Sequence, residues 1–112
     1  MIIGLGIDIV EVARIEKAMR KERFLEKLFT PAEIKDPTDA RHIAGRWAAK
    51  EAIAKAVPIE LGWLDVEVLN DESGSPYVKF SENVNIQKDW KLHISITHEN
   101  AFAAAVAVLE QS

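Results

Sequence analysis

The stretch GIDIVEVARIEKAM, residues 6–19, contains the change of periodicity that decides the fold. Residues 1–10, MIIGLGIDIV, read as a strand buried in a core, and from about Val12 the apolar residues recur at helical spacing as far as Met19. Asp8 lies inside the apolar strand, where a charge without a partner costs on the order of several kcal/mol. The sequence therefore predicts a strand followed by a helix, and it predicts a partner for Asp8.

The rest of the chain predicts an α+β fold, with a largely antiparallel sheet packed with helices. The apolar residues Phe24, Leu25, Leu28 and Phe29 predict a second short helix. A long helix then starts at Thr38 or Asp39 and runs through RHIAGRWAAKEAIAKAV until Pro58 stops it. Thr30 and Glu33 have the spacing of a capping box, so helix capping is the first interpretation of Glu33. The predicted later elements are strands at 63–69, 76–80, 91–97 and 101–109, and a short helix within 81–88.

Length and composition limit the possible classes of protein. A chain of 112 residues, 48% of them apolar, predicts a single domain over residues 1–112, and a core this small often gains from oligomerisation. A net charge of −4 weighs against general nucleic-acid binding, and the lack of cysteine excludes disulfides and thiolate metal sites. No signal-like segment or membrane-crossing run is visible, so the expectation is a cytoplasmic protein.

The charge is distributed unevenly along the chain. The segment from Arg14 to Lys27 holds six bases and three acids, which gives +3 and leaves −7 for the remainder. Such a basic helix on an acidic body indicates an acidic partner for that face. The alternative is a solvated helix whose charges pair with one another.

A second acid, Glu51, lies where the long helix calls for an apolar residue. The alanine-rich helix carries a stripe through Ala44 and Trp47, and Glu51 falls in the middle of it. If Asp8 and Glu51 converge, their charges repel unless a cation lies between them, and two carboxylates with few other ligands suit Mg²⁺. The structural alternatives are a Glu51–Lys55 pair along the helix and a capping role for Asp8.

The same helix supplies positive charge beside the two acids. Its basic residues are Arg41, Arg46, Lys50 and Lys55. Together with the proposed metal they favour a ligand rich in phosphate. No Walker-type glycine loop is present to bind phosphate through backbone N–H groups instead.

Two stretches carry a resemblance to a known family. GIDIVEVARI with FLEKLFTPAEI, and RWAAKEAIAKA with Lys50, Glu51 and Lys55, are similar to the holo-acyl-carrier-protein synthases, the small, trimeric type of 4′-phosphopantetheinyl transferase. DVEVLNDESGSPYV and the ending SITHENAFAAAVAVLE extend the resemblance over nearly the whole chain. The connection at residues 57–62 departs from the family pattern because it is short and has one glycine.

The resemblance implies an activity and a set of site residues. The family transfers the phosphopantetheine arm of coenzyme A to a serine of apo acyl carrier protein and releases adenosine 3′,5′-bisphosphate. By resemblance, Asp8 and Glu51 hold Mg²⁺ together with the diphosphate and water. The coenzyme A site is then expected to include Arg41, Arg46, Lys50, Lys55, Ser95, Thr97 and His98.

The resemblance also implies partners. The first helix, with Arg14, Lys17 and Lys21 and with Phe24 after it, is expected to dock on the acidic recognition helix of the carrier protein. A homotrimer with sites between adjacent subunits is expected from the family. The proton acceptor stays open between Glu51, or a metal-bound water that it orients, and Lys50. A different reading is a non-catalytic module that binds an acidic helical partner through its basic first helix.

Overall fold

The computed structural model describes residues 1–35 and 39–112. The sequence also predicts a break at Asp36-Pro37, and this break and the choice of Thr38 as a helix start lie outside these ranges. The helices are α1 (Val12–Ala18), α2 (Phe24–Leu28) and α3 (Ala40–Ala56), and a single 3₁₀ turn spans Trp63–Asp65. The strands are β1 (Ile2–Glu11), β2 (Val66–Asn70), β3 (Pro76–Phe80), β4 (Trp90–His98) and β5 (Phe102–Gln111).

The strands form two antiparallel groups. One sheet has the order β1-β5-β4, in which Asp8 pairs with Ala105 and Ile96 pairs with the same alanine from the other side. The second group is the β2-β3 hairpin, in which Val68 pairs with Val78. The predicted α+β fold with a largely antiparallel sheet is therefore confirmed, as is the change from strand to helix near Val12.

Strand β1 is buried on one face only, so the prediction of a buried strand is wrong for the other face. Leu5, Ile7 and Ile9 are 67%, 68% and 66% exposed, whereas Gly6 and Val10 are buried. Alternate residues of a strand point to opposite faces of the sheet, and only the face that carries Asp8 meets α3. One face of β1 therefore packs into the core, and no other element of this chain covers its opposite, apolar face among the described residues.

Two glycines let β1 lie directly against α3. A Cβ atom built on Gly6 would lie 1.9 Å from the carbonyl oxygen of Ala52, and one on Gly4 would lie 1.7 Å from that of Ala56. Backbone therefore meets backbone at both positions, which only glycine permits. This close approach sets the position of Asp8, two residues beyond Gly6 on the same face, relative to α3.

Helix α3 lies at the centre of the core. Asp39 caps its N-terminus by accepting the backbone N–H of His42, as one of the two predicted starts requires. Its buried face runs through Ile43, Ala48, Ala52 and Ile53. Of the predicted stripe, Ala44 is fully buried and Trp47 is half-buried, and other elements cover α3 from more than one side.

Three local predictions differ from the structure. The strand predicted over residues 63–69 begins only at Val66, because Trp63–Asp65 form a 3₁₀ turn. The Thr30 backbone N–H donates to Glu33 Oε1 at 2.9 Å, as in a capping box, but turns rather than a helix follow. Residues 81–88 contain a turn and no helix. Among the described residues, no helix has the length and apolar character needed to cross a membrane.

Candidate active site

Asp8 has its partner on α3. Its carboxylate lies 3.7 Å from Lys55 Nζ, and the Asp8 side chain is 18% exposed. Lys55 also donates to the carbonyl oxygen of Ile7 at 2.8 Å, and its stem packs beside Gly6. The capping alternative for Asp8 does not hold, because Glu11 is the N-cap of α1 and the cap position has no side-chain hydrogen bond.

Glu51 lies one helical turn before Lys55. Cβ atoms four residues apart on a helix are about 5–6 Å from each other, so Asp8 and Glu51 both neighbour Lys55. Glu51 is half-buried, and the ion pair that Lys55 forms among the described residues is with Asp8. Lys55 therefore pairs with one of the two predicted acids and lies one helical turn from the other.

Metal ligation at this place would depend on few protein groups. Within residues 1–35 and 39–112, no group of three or more histidine, cysteine, aspartate or glutamate side chains lies close enough to hold an ion. Two carboxylates alone are a donor set that fits Mg²⁺, which usually retains several waters and binds substrate phosphates.

Lys50, predicted as a catalytic residue, is buried and fully hydrogen-bonded within the chain. The residue is 4% exposed, and its ammonium group donates to Glu33 Oε1 at 2.7 Å, to the Leu28 carbonyl at 2.7 Å and to the Trp63 carbonyl at 2.8 Å. An ammonium group has three donors, and all three are used. The ring of Phe29 lies 4.9 Å from the same nitrogen.

Glu33 completes this buried pair. Its side chain is fully buried, and Oε2 accepts the backbone N–H of Val68 at 2.9 Å, so the pair joins α3 to the hairpin and to the turn after α2. Burial lowers the pKa of Lys50, and the hydrogen bond and charge of Glu33 oppose that effect. Removing one member would leave a buried charge, at a cost of about 3–5 kcal/mol. The pair is therefore structural.

A cleft of about 600 Å³ opens between α3, β4 and the hairpin. Four of its lining side chains carry or can carry positive charge, and among the residues that the structure describes no acid lines it. These side chains are Lys35, His42, Arg46 and His98. Leu69, Pro76 and Tyr77 form an apolar wall, so the cleft suits a flat apolar group that bears phosphate.

Arg46 is held at the wall of this cleft by two segments. Its guanidinium donates to the carbonyl oxygen of Glu33 and, at 3.3 Å, to Asn70 Oδ1. Burial lowers the pKa of Arg46, and the charge of Glu33 acts in the opposite direction. Arginine stays protonated in proteins, so Arg46 presents a permanent cation to the cleft.

His98 and His42 meet at one end of the cleft. Their ring centroids are 5.1 Å apart, and His42 Nδ1 lies 2.9 Å from both carboxylate oxygens of Asp39. The backbone N–H of His42, more than any other contact, lowers the pKa of Asp39 from its usual value. Asp39 is therefore a carboxylate near neutral pH.

Five of the seven predicted coenzyme A residues do not line this cleft, namely Arg41, Lys50, Lys55, Ser95 and Thr97. Ser95 and Thr97 alternate with Ile94 and Ile96 on β4, so they lie on the outer face of the sheet, as the exposed positions of β1 do. Arg41 is exposed and lies 3.4 Å from Asn100 Oδ1. A single chain therefore brings together only Arg46 and His98 of the predicted cleft residues, with Lys55 beside Asp8.

The predicted partner surface lies around α1. Arg14, Lys17 and Lys21 are exposed and form no ion pair with a described residue, whereas Arg20 pairs with Glu16 at 3.9 Å. The Arg14 guanidinium carbon lies 5.9 Å from the ring centroid of Trp47. Phe24 is half-buried and stacks on the same ring at 6.0 Å.

Sequence reasoning did not include several residues that the structure brings to the cleft. They are Lys35, His42, Asn70 and Tyr77. The spacing of Asp39 and His42 at a helix start was the one available signal for His42. The hairpin residues had no signal, because their contact with α3 is long-range.

Comparisons with known proteins agree with one another. A family model described as the 4′-phosphopantetheinyl transferase superfamily matches residues 4–107. A holo-[acyl-carrier-protein] synthase of Clostridium tetani is 42% identical over 122 aligned positions, which cover 98% of this chain and 97% of that protein. Because the alignment is longer than the 112 residues of this chain, the relative contains positions that this chain lacks.

Solved structures give the same result. The crystal structure of a holo-(acyl-carrier-protein) synthase from Bacillus anthracis, in complex with CoA (3′,5′-ADP), has a TM-score of 0.86 and 40% identity and covers 100% of this chain and 99% of that one. The Helicobacter pylori synthase in complex with coenzyme A has a TM-score of 0.75 and 36% identity, with coverage of 95% of this chain and 99% of that one.

Proposed function

Since the chain belongs to the 4′-phosphopantetheinyl transferase superfamily and is an enzyme of the holo-[acyl-carrier-protein] synthase type, we propose that it moves the phosphopantetheine arm of coenzyme A to a serine of apo acyl carrier protein. The observation that supports the proposal is the ion pair between Asp8 and Lys55, a lysine that lies one helical turn after Glu51 on α3. The family match over residues 4–107 supports a single catalytic domain.

Asp8 and Glu51 are the residues that we propose to hold Mg²⁺. Both are oxygen donors, both neighbour Lys55, and they leave most coordination positions to water and to the diphosphate. Bound there, the ion would offset negative charge on the diphosphate as the leaving group departs. Lys55 is 53% exposed and close enough to add a second positive charge.

The transfer requires a nucleophile, a leaving group and a proton acceptor. The serine hydroxyl of the carrier protein attacks the β-phosphorus of coenzyme A, and the bond from that phosphorus to the bridging oxygen of the diphosphate breaks. Adenosine 3′,5′-bisphosphate leaves, and Arg46 stabilises its charge in the cleft. Because all protons of Lys50 are donated within the chain, we assign the serine proton to Glu51.

A mass measurement tests this function directly. The protein is mixed with apo carrier protein, coenzyme A and MgCl₂, and the carrier is weighed by mass spectrometry. A gain of one phosphopantetheine arm supports the transferase. Binding of the carrier without any gain supports the non-catalytic module instead, and no binding at all favours a phosphotransferase with another acceptor.

Charge reversal at Arg14 tests the carrier-docking surface. We expect Arg14→Glu to raise KM for the carrier protein at least about tenfold, since it replaces attraction to an acidic helix by repulsion. The KM for coenzyme A should stay within about twofold, because Arg14 lies over Trp47 and not in the cleft. Steady-state kinetics with each substrate varied in turn would measure both.

Lys88→Glu is the matched control for Arg14→Glu. It makes the same change in net charge at an exposed position between β3 and β4, away from α1. A rise in the carrier KM that is equal in the two variants would show only a general effect of charge. Equal losses for both substrates in Arg14→Glu would refute the docking role.

The uncovered apolar sheet face supports a homotrimer. Leu5, Ile7 and Ile9 pair across β5 with Val108, Val106 and Ala104, and these side chains share the outer face with Ser95 and Thr97. Contiguous exposed apolar surface marks interaction sites. We propose that copies of this chain cover it, which would also bring Ser95 and Thr97 into sites between adjacent subunits.

A charge placed on this face tests the assembly. Ile7→Asp should convert a trimer to monomers in sedimentation experiments, because association would bury an unpaired carboxylate. Activity should fall with the trimer if the sites are shared between subunits. Leu64→Asp, at a leucine that is 48% exposed but outside this sheet, should leave the mass unchanged. A wild-type protein that sediments as a monomer would exclude the trimer.

A further inference from the structure

Glu33 is a buried residue to which the proposed reaction gives no role, although it contacts α3 at two points. Its side chain is fully buried, and the carboxylate accepts hydrogen bonds from Lys50 Nζ at 2.7 Å and from the backbone N–H of Val68 at 2.9 Å. Its backbone carbonyl oxygen accepts from the Arg46 guanidinium. One residue therefore holds α3 through its side chain and through its main chain.

The two contacts on α3 are one helical turn apart. Arg46 and Lys50 are separated by four residues, so both lie on the face of α3 toward Glu33, about 6 Å apart along the helix axis. A glutamate that is bound at its carboxylate by one of them and at its carbonyl oxygen by the other has a fixed position and a fixed orientation. The pair with Lys50 thus determines where the carbonyl oxygen that meets Arg46 lies.

The segment that contains Glu33 depends on these contacts for its position. Residues 31–34 form turns, and a local hydrogen bond runs from the Glu33 N–H to the Thr30 carbonyl at 3.0 Å. A turn lacks the repeated backbone hydrogen bonds that fix a strand or a helix. The carboxylate supplies the missing constraint, because it ties the turn to Lys50 on α3 and to Val68 on β2.

The Glu33 carbonyl is one of two acceptors that orient Arg46 in the cleft. The other is Oδ1 of Asn70, at 3.3 Å. The hydrogen bond to Glu33 is partly buried and the one to Asn70 is exposed, so the bond to Glu33 is the stronger of the two. A guanidinium has its five donors in one plane, and fixing that plane also fixes the direction of the donors that remain for a ligand.

We propose that Glu33 is a positioning residue for Arg46, in that its buried carboxylate fixes the turn and its carbonyl oxygen sets the plane of the guanidinium. The inference rests on the proposed function, since it takes Arg46 as the cation that stabilises the departing adenosine 3′,5′-bisphosphate. Glu33 is fully buried, so it acts through Arg46 and not on the ligand itself. Supporting contacts of this kind decide how precisely a group at a site is held.

Glu33→Asp tests the positioning role because it shortens the side chain and keeps its charge, so Lys50 retains a counter-charge. The carboxylate then falls about 1.5 Å short of its partners, and the turn must move to restore the contacts. A displacement of about 1 Å in a group that orients a substrate is costly, so KM for coenzyme A should rise at least about tenfold. KM for the carrier protein should stay within about twofold, because Phe24 stacks on Trp47 and not on Glu33.

A cycle of variants with Arg46→Ala separates positioning from a general loss of packing. If Glu33 acts through Arg46, then Glu33→Asp should raise KM for coenzyme A by less than about twofold once Arg46 is absent. A general structural defect would instead multiply the two losses. Glu67→Asp is the matched control, since it makes the same change at a carboxylate that accepts the Thr30 hydroxyl at 2.5 Å. Its KM for coenzyme A should equal that of the wild-type protein.

Nitrogen-15 NMR of the Arg46 side chain gives a readout that does not use catalysis. A guanidinium that is held by hydrogen bonds rotates slowly and gives separate Nη signals, whereas a free one gives an averaged signal. Asn70→Ala removes the exposed partner and leaves the contact with Glu33, so the separate signals should persist. In Glu33→Asp they should merge into one.

Three results would overturn the assignment to Glu33. They are a wild-type KM for coenzyme A in Glu33→Asp, losses that multiply with those of Arg46→Ala, and an averaged Arg46 signal in Asn70→Ala. The last needs no variant of Glu33, so it decides the proposal even if Glu33→Asp does not fold. A failure of the proposed function looks different, because the wild-type protein would then transfer nothing from coenzyme A while its separate Arg46 signals remained.

Discussion

Glu51→Gln is expected to lower the rate of phosphopantetheine transfer by about a thousandfold while the protein stays folded. Glutamine has the shape of glutamate, and Glu51 is half-buried, so the packing of α3 should change little. The amide is a poor ligand for Mg²⁺ and cannot accept the serine proton. The loss corresponds to about 4 kcal/mol of transition-state stabilisation. It should be measured from the gain in carrier mass over time, with thermal unfolding monitored by circular dichroism.

A double variant tells whether Asp8 and Glu51 act through one shared ion. Asp8→Asn alone should also be nearly inactive, and its thermal unfolding should shift slightly because the Lys55 contact at 3.7 Å weakens. If both acids hold the same ion, the double variant should be about as slow as either single one, since groups that act as a unit are not additive. Multiplied losses would contradict a shared ion.

Glu82→Gln is the control for this chemical change. Glu82 is exposed between β3 and β4, so its substitution removes one carboxylate without touching the cleft or α3. Its activity should equal that of the wild-type protein. A Glu51→Gln variant as active as this control would remove the basis of the proposed mechanism.

The secondary structure could be predicted where local periodicity decides it. The sequence predicted the change from strand to helical spacing near Val12, and it predicted the helix cap at Asp39. Both predictions are confirmed. The order β1-β5-β4 was not predicted, because it depends on pairing between the two ends of the chain. The exposed face of β1 was misread for a similar reason, since a sequence does not tell which apolar surface its own chain covers.

Polar residues in apolar patterns identified the acids but not every base. Asp8 and Glu51 were found because each interrupts an apolar pattern, and Lys55 pairs with Asp8 one helical turn after Glu51. The buried environment of Lys50 was not predicted because its acceptors, the carbonyl groups of Leu28 and Trp63, are backbone atoms distant in sequence. The sequence does not distinguish a lysine that binds phosphate from a lysine that donates to buried carbonyl groups. Only the three-dimensional packing around the ammonium group does so.

Gly6→Ala should destabilise the protein strongly and should also separate the two acids. The new methyl group would lie 1.9 Å from the carbonyl oxygen of Ala52, and neither side of that contact can relieve it by a change of rotamer. Strand β1 must therefore move away from α3, at a cost of about 3 kcal/mol or more. The melting temperature should fall by roughly 10 °C or more in circular-dichroism scans.

The same displacement should weaken the site in molecules that remain folded. Asp8 follows Gly6 by two residues on the face toward α3, so a shift of β1 carries its carboxylate away from Lys55 and Glu51. Measured well below the melting temperature, Gly6→Ala should therefore bind coenzyme A and Mg²⁺ at least about tenfold more weakly than the wild-type protein. Gly62→Ala is the control, because its Cβ atom would meet only the end of the Asp65 side chain at 3.2 Å, which can rotate. If Gly6→Ala were as stable as the wild-type protein, the position of β1 would not depend on direct backbone contact with α3. The close approach at Gly6 would then not explain the position of Asp8.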